Sequence, residues 1–287
     1  MEVVVIKLGG GLITQKDSFC TPIVGRIYAL ARAVKKCIES GIRVVIVHGA
    51  GSFGHLRSRR WRLNEGHLPG VVFPPESDCL SQAQAVSLVR QEMLTLNRIV
   101  CDALKDVGVV VRSHPPHQWV VGTGLAFQGD VRGRFLQSGT AGEVDVTFGD
   151  VVNVKDSKRR FSILSGDDLV VRLSLELPNV KRLVFAIGGV DGLLRVPPSN
   201  GGSVKDLIKV YTPSMAVEME HHSAIDVTGG IGLKVHRGVH VSSASSGTVD
   251  VYIVNGEISS RVVSACLGQS KSEIVGTKIC GQTNARL

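Results

Sequence analysis

Val3-Val4-Val5-Ile6-Lys7-Leu8-Gly9-Gly10-Gly11 decides the fold. From Val3 to Leu8 there is no polar/apolar alternation, and the β-branched bias is that of a strand covered on both faces. The run stops at three glycines. Pro22 then opens a helical stripe of Ile23, Ile27, Leu30, Ala31, Val34 and Ile38, with Gly41 where a C-terminal cap belongs. Arg43 to Val47 repeats the buried run and stops at His48-Gly49-Ala50-Gly51. Strand, helix, strand at this spacing is a βαβ unit, so the central sheet begins parallel.

Outward from this unit, residues 56–75 read as a loop punctuated by Pro69-Gly70 and Pro74-Pro75. Ala85, Leu88, Val89, Met93, Leu96, Val100 and Leu104 keep helical spacing within a helix expected from about Ser77 to Lys105. A strand fits Val109 to Arg112. Val144 to Leu164 reads as two strands around the polar turn Asp156 to Arg160, a β-hairpin. Asp167 and Asp168, after Ser165-Gly166, mark a helix N-terminus. A strand at Leu183 to Ile187 ends in Gly188-Gly189, a glycine-opened helix spans Gly229 to Ser243, and a late strand covers Val249 to Val254. With no internal repeat and no low-complexity linker, the expectation is one α/β domain over residues 1–287, a mostly parallel sheet covered by helices.

A 43% hydrophobic composition supports a substantial core. Lysine and arginine exceed aspartate and glutamate to give a net charge of +8, which suits acidic partners. The one dense basic run, Arg57-Ser58-Arg59-Arg60-Trp61-Arg62, reads as a solvated loop. No array of stacking aromatics accompanies it, so nucleic acid is not an expected partner. Cys20, Cys37, Cys79, Cys101, Cys266 and Cys280 form no C-x-x-C pair and read as reduced thiols of a cytoplasmic protein. No signal peptide and no apolar run of membrane-spanning length is recognised.

Three glycine loops carry the chemical signal. In Lys7-Leu8-Gly9-Gly10-Gly11-Leu12-Ile13-Thr14-Gln15-Lys16, a lysine at a strand end precedes glycines whose amides can donate to phosphate oxygens. Lys7 taken alone reads equally as a snorkelling strand-end lysine. His48-Gly49-Ala50-Gly51-Ser52-Phe53-Gly54-His55 formally matches G-x-G-x-x-G, but a basic, proline-punctuated segment follows it in place of a returning amphipathic helix. In Asp226-Val227-Thr228-Gly229-Gly230-Ile231-Gly232-Leu233-Lys234, glycines open a helix and a lysine lies one turn inside. None is G-x-x-x-x-G-K-[ST], and the protein-kinase signature set is missing. Together they point to a nucleotide site that is not a P-loop.

Lys7-Leu8-Gly9-Gly10, Ile13-Thr14-Gln15-Lys16, Gly51-Ser52-Phe53-Gly54-His55, Ser165-Gly166-Asp167 and Asp226-Val227-Thr228-Gly229-Gly230 resemble the isopentenyl phosphate kinases of the amino acid kinase superfamily, in order and over nearly the whole chain. The resemblance implies an open αβα sandwich and a homodimer that converts isopentenyl phosphate and ATP to isopentenyl diphosphate and ADP, in an alternative mevalonate route of isoprenoid biosynthesis. It implies an N-terminal lobe, about 1–165, for the phosphate acceptor and a C-terminal lobe, about 166–287, for the nucleotide. By the same resemblance Lys7, Leu8, Gly9, Gly10 and Gly11 with Gly51 face the nucleotide phosphates, Gly230 and Lys234 hold ATP from the other side, and Asp191 lies in a nucleotide-contacting loop. Ala50, His55 and Gly166 fall at the acceptor phosphate, Lys16 near the transferred group, and Asp167 where it orients the lysines. Gly11 stands where the family has serine, Ala50 where it has glycine, and Gly188-Gly189 where threonine and aspartate precede V-D-G.

A phosphate monoester has a second pKa of about 6, so it is already a dianion near neutral pH and needs no general base. The work is positioning and charge neutralisation, which lysines, glycine amides and Mg²⁺ carried by the nucleotide supply. No protein metal site is expected. His55 would donate to the acceptor phosphate; without the resemblance it reads as a loop-capping histidine. His48, His114, His117, His221 and His222 read as structural. Rival readings are a fosfomycin-kinase-like enzyme acting on a phosphonate, a non-catalytic nucleotide sensor, and a dinucleotide-binding oxidoreductase.

Overall fold

Strand β1 (Val3–Leu8) is buried along its whole length, and its pleat sorts its side chains between two layers. Val4 and Ile6 enter one apolar cluster, Val3 and Val5 the other. Lys7 shares the parity of Val3 and Val5 and so points toward the second layer. The structure, a computed structural model, describes residues 1–73, 79–136, 142–196, 198–215, 230–269 and 274–282.

In chain order the elements are α1 (Gly10–Ile13), α2 (Val24–Glu39), β2 (Arg43–His48), α3 (His55–Arg60), α4 (Gln82–Asp106), β3 (Val110–Ser113), α5 (Val131–Leu136), β4 (Glu143–Phe148), β5 (Asp150–Asn153), β6 (Phe161–Leu164), α6 (Gly166–Glu176), β7 (Val180–Ile187), β8 (Val210–Tyr211), α7 (Gly230–Ala244), β9 (Asp250–Asn255), α8 (Ser259–Leu267) and β10 (Thr277–Ile279). Eight strands form one sheet in the order β3-β4-β2-β1-β7-β9-β10-β8. Its pairs run parallel except β9 with β10. Helices α2, α4 and α8 cover one face and α5, α6 and α7 the other, giving the expected open αβα sandwich. β2 lies on one side of β1 and β7 on the other. That reversal of direction creates a crevice outside the carboxyl ends of the strands, where ligands bind in sheets of this kind. Gly9, Gly49, Gly149, Gly188 and Gly256 directly follow β1, β2, β4, β7 and β9 at this end.

Several expectations need correction. Residues 56–75 are not simply a loop: α3 runs to Arg60, with Trp61 N–H donating to Arg57 O at 2.9 Å. Nor is the basic run wholly solvated. Arg57 and Trp61 are buried, Trp61 against Phe73 with ring centroids 5.1 Å apart. High local charge hid a helical turn whose inner side is anchored in the core. Val144 to Leu164 forms three strands, not two, because Gly149 ends β4 in the main sheet before the antiparallel β5–β6 hairpin begins. The long helix begins at Gln82, where the Ser81 side chain accepts from Gln84 N–H; part of its expected first turn, 77–78, lies outside the described residues. The six cysteines are free thiols. No described helix is long and apolar enough to cross a membrane.

Candidate active site

The first two glycine loops pack on one another. A Cβ on Gly10 would lie 2.3 Å from the Gly51 amide nitrogen, and one on Gly49 would lie 2.5 Å from the Gly10 nitrogen. Glycine is therefore required for backbone to meet backbone here, in addition to the close ligand approach inferred from sequence. Ser52 N–H donates to Thr14 Oγ1 at 2.9 Å, which ties the loop after β2 to the end of α1.

Behind the loops lies a buried charge cluster. Lys7 is 4% exposed and Asp167 1%. Lys7 Nζ stands 3.2 Å from Asp167 Oδ1, and Lys234 Nζ stands 3.2 Å from Asp167 Oδ2. Lys234 also donates to Gly230 O at 3.1 Å, across one turn of α7. Ser165 caps α6 by accepting from Asp167 N–H at 3.1 Å, which sets the carboxylate at the helix start, facing β1. Burial raises the Asp167 pKa, but the Lys234 and Lys7 ammonium groups outweigh it, and the carboxyl is held below the usual range. The next residue differs: burial pushes Asp168 up, against the lowering effect of Arg237, its partner at 2.6 Å. Gly166 leaves room for the end of Lys7, since a Cβ there would lie 2.3 Å from Lys7 Nζ.

Loops and cluster line one cavity of about 660 Å³. Of the residues singled out from sequence, Lys7, Gly9, Gly10, Gly11, Lys16, Ala50, Gly51, His55, Gly166, Asp167, Gly230 and Lys234 line it. Two do not. Leu8 turns its side chain into the core, and the Asp191 carboxylate is held by Asn255 Nδ2 at 3.1 Å and by Arg261. Asp226 to Gly229, His221 and His222 lie outside the described residues.

Part of the cavity wall is apolar, built from Val89 and Met93 of α4 with Val151 and Ile163 of the hairpin. Asp150 beside it accepts from His117 N–H at 3.0 Å and meets His117 Nδ1 at 2.6 Å, so His117 steadies this wall. Among the described residues no group of three His, Cys, Asp or Glu side chains is placed to hold a metal ion. His48 is fully buried, stacked on Phe148 and next to Asn97; burial lowers its pKa to about 4, so it is neutral at pH 7.

Asp150 and Glu257 also line the cavity, although neither was singled out from sequence. The signal was available: each follows a glycine directly after a buried strand, as the first two recognised loops do. Glu257 is paired with Arg26 at 2.9 Å, and Arg26 also donates to Leu12 O at 3.3 Å.

A family model described as the amino acid kinase family matches residues 2–255. The chain is 28% identical to isopentenyl phosphate kinase of Methanothermobacter thermautotrophicus, over 98% of this chain and 100% of the relative. It is 31% identical to that of Thermoplasma acidophilum, over 96% of this chain and 100% of the relative. Among solved structures, an X-ray structure of isopentenyl phosphate kinase superposes with a TM-score of 0.74 at 26% identity, covering 97% of this chain and 100% of the other.

Proposed function

We propose that this chain, which belongs to the amino acid kinase family and within it to the isopentenyl phosphate kinases, transfers the γ-phosphoryl group of ATP to isopentenyl phosphate, giving isopentenyl diphosphate and ADP. The observation that carries the reading is one cavity with two kinds of wall. Lysines and glycine loops supply one, and apolar side chains such as Val89, Met93, Val151 and Ile163 the other. A substrate with an anionic head and a short hydrocarbon tail suits both. A small polar phosphonate would leave the apolar wall unfilled, which disfavours that rival.

Two anions must meet in this cavity, and their mutual repulsion is the obstacle. Lys7 and Lys234 neutralise the nucleotide phosphates, with Asp167 keeping the two ammonium groups apart and aimed. The amides of Gly9, Gly10, Gly11, Gly51 and Gly230 add fixed partial positive charge. Lys16 stands by the transferred phosphoryl group, and His55, with Ala50 and Gly166, holds the acceptor phosphate. Asp191 acts from outside the cavity, through the loop that carries Gly188 to Gly192. In this reading residues 1–165 supply the acceptor side and 166–287 most of the nucleotide side. Mg²⁺ carried by the nucleotide would supply further charge neutralisation; Asp167, the buried acid between Lys7 and Lys234, is already engaged by ammonium groups. A cytoplasmic homodimer completes the proposal, and sedimentation at enzyme concentration tests the dimer.

The deciding experiment is ADP release with Mg-ATP and isopentenyl phosphate, dimethylallyl phosphate, fosfomycin or no acceptor. Release that depends on isopentenyl phosphate, with the diphosphate identified as product, is expected. Release with fosfomycin alone, or with no acceptor dependence, overturns the reading.

A further inference from the structure

The basic run after the second glycine loop contains one arginine set among three walls of the cavity. Arg57 is 4% exposed. Its Nε donates to Glu92 Oε1 at 2.8 Å, and its guanidinium lies 5.1 Å from the centroid of the Phe19 ring. Each partner belongs to a different wall. Arg57 lies on α3 between His55 and Ser58, both of which line the cavity. Glu92 precedes Met93 on α4. Phe19 belongs to the segment 14–22, which carries Lys16.

That segment is fastened at its base. Thr14 and Pro22 form an antiparallel bridge. Ser52 O accepts from Cys20 N–H at 3.2 Å, and Ser52 Oγ accepts from Thr21 N–H at 3.2 Å. Cys20 has a left-handed backbone, φ 48°, a strained state for a residue with a Cβ that persists only when its surroundings enforce it. Phe19, 49% exposed, is the outer point of attachment. Lys16 is itself exposed and makes no hydrogen bond or ion pair with the described residues. Its own side chain does not fix its ammonium. What fixes it is the backbone that carries it, while Gly11 leaves room for its stem: a Cβ there would lie 2.6 Å from Lys16 Cε.

We infer that Arg57 is a positioning residue: by stacking on Phe19 while paired to Glu92, it latches the Lys16-bearing segment to α3 and α4 and sets Lys16 in place relative to His55. Glu92 neutralises the buried guanidinium, whose planar face then remains available to the ring. A lysine could keep the ion pair but would lose the planar stack. The inference rests on the reading of Lys16 as the group beside the transferred phosphoryl.

The test uses the full chain and two readouts. The first is tryptic cleavage after Lys16, followed by mass, which requires no turnover. Phe19→Ala is expected to raise its rate about 2- to 5-fold, the loss corresponding to an exposed cation–π contact. Arg57→Met made together with Glu92→Met, which removes both charges of the pair, is expected to do the same. The second is kcat with Mg-ATP and isopentenyl phosphate. Phe19→Ala should lower it by a similar factor at unchanged KM for ATP, and should have no further effect in the Lys16→Ala background. Unchanged cleavage, or effects of Phe19→Ala and Lys16→Ala that simply multiply, overturns the latch. If the wild-type chain shows no release dependent on isopentenyl phosphate, the functional reading fails, and the cleavage rates alone decide for or against the latch.

Discussion

Two aspartates in the same layer of this molecule, Asp167 and Asp145, are each buried between two basic side chains, yet their settings differ. Asp167 lies between Lys7 and Lys234 at the carboxyl end of the sheet. Asp145, on β4, meets Arg43 at 3.0 Å and His114 at 2.8 Å. Arg43 donates onward to the Phe135 carbonyl, and the His114 ring packs against the Phe135 ring. Among the described residues the Asp145 network therefore leads only to other groups of the protein. Lys7 and Lys234 instead line the cavity, and each ammonium carries three N–H donors. A buried ion pair is a poor source of net stability, because desolvation cancels much of the attraction. The contrast teaches that partner type and outlet, not burial, separate a charge cluster built for a ligand from one built for packing.

The largest expected effects test this contrast directly. Asp167→Asn should lower kcat by about 10²–10³-fold, the scale for removing preorganised electrostatic groups. Asp145→Asn should leave kcat of the folded enzyme unchanged while costing about 3–5 kcal/mol in urea unfolding, the range for breaking a buried pair. Equal losses of kcat in both variants would erase the distinction. The histidines on either side of the second glycine loop repeat it in neutral form. His48 is sealed under the loop, with its pKa lowered to about 4. Between its unfolded pKa of about 6.5 and about 4, the unfolded chain binds a proton that the native chain excludes. Stability is therefore lost as pH falls through that window, by about 3 kcal/mol between pH 7 and pH 4 from this residue alone. His48→Gln should flatten that part of the stability–pH curve; an unaltered slope would show that His48 is not the group responsible. His55, which lines the cavity, should behave otherwise. His55→Ala is expected to reduce kcat by about 10²-fold while ATP affinity, measured by titration calorimetry, stays unchanged. Equal loss of both would assign it to structure. A smaller effect belongs to Gly166→Ala. Its Cβ would press on Lys7 Nζ at 2.3 Å, and the flexible end of the lysine can yield. A fall of about tenfold in kcat/KM with an unchanged melting temperature is expected, and loss of the fold would show that Gly166 is required by packing instead.

Much of this site was legible before any coordinates. Lys7 falls in the pleat register of Val3 and Val5, the glycines sit where buried strands end, and Ser165 precedes two acids as a cap should. Glu257 and Asp150 were overlooked although they follow glycines in the same way. β8 and β10 were not legible, because strands of two and three residues are too short to show a period. The burial of Arg57 was equally hidden, since its acid, Glu92, comes from another helix.

By itself the sequence determined the layers and the end of the sheet that holds the cavity, because hydrophobic period, caps and glycine stops are local properties written within a few residues of one another. Only the tertiary structure decided which charges meet. Lys7, Asp167 and Lys234 are far apart along the chain and are joined by three separate elements. A carboxylate's partner is set by where strands and helix ends converge in space, and no pattern of residue spacing encodes that.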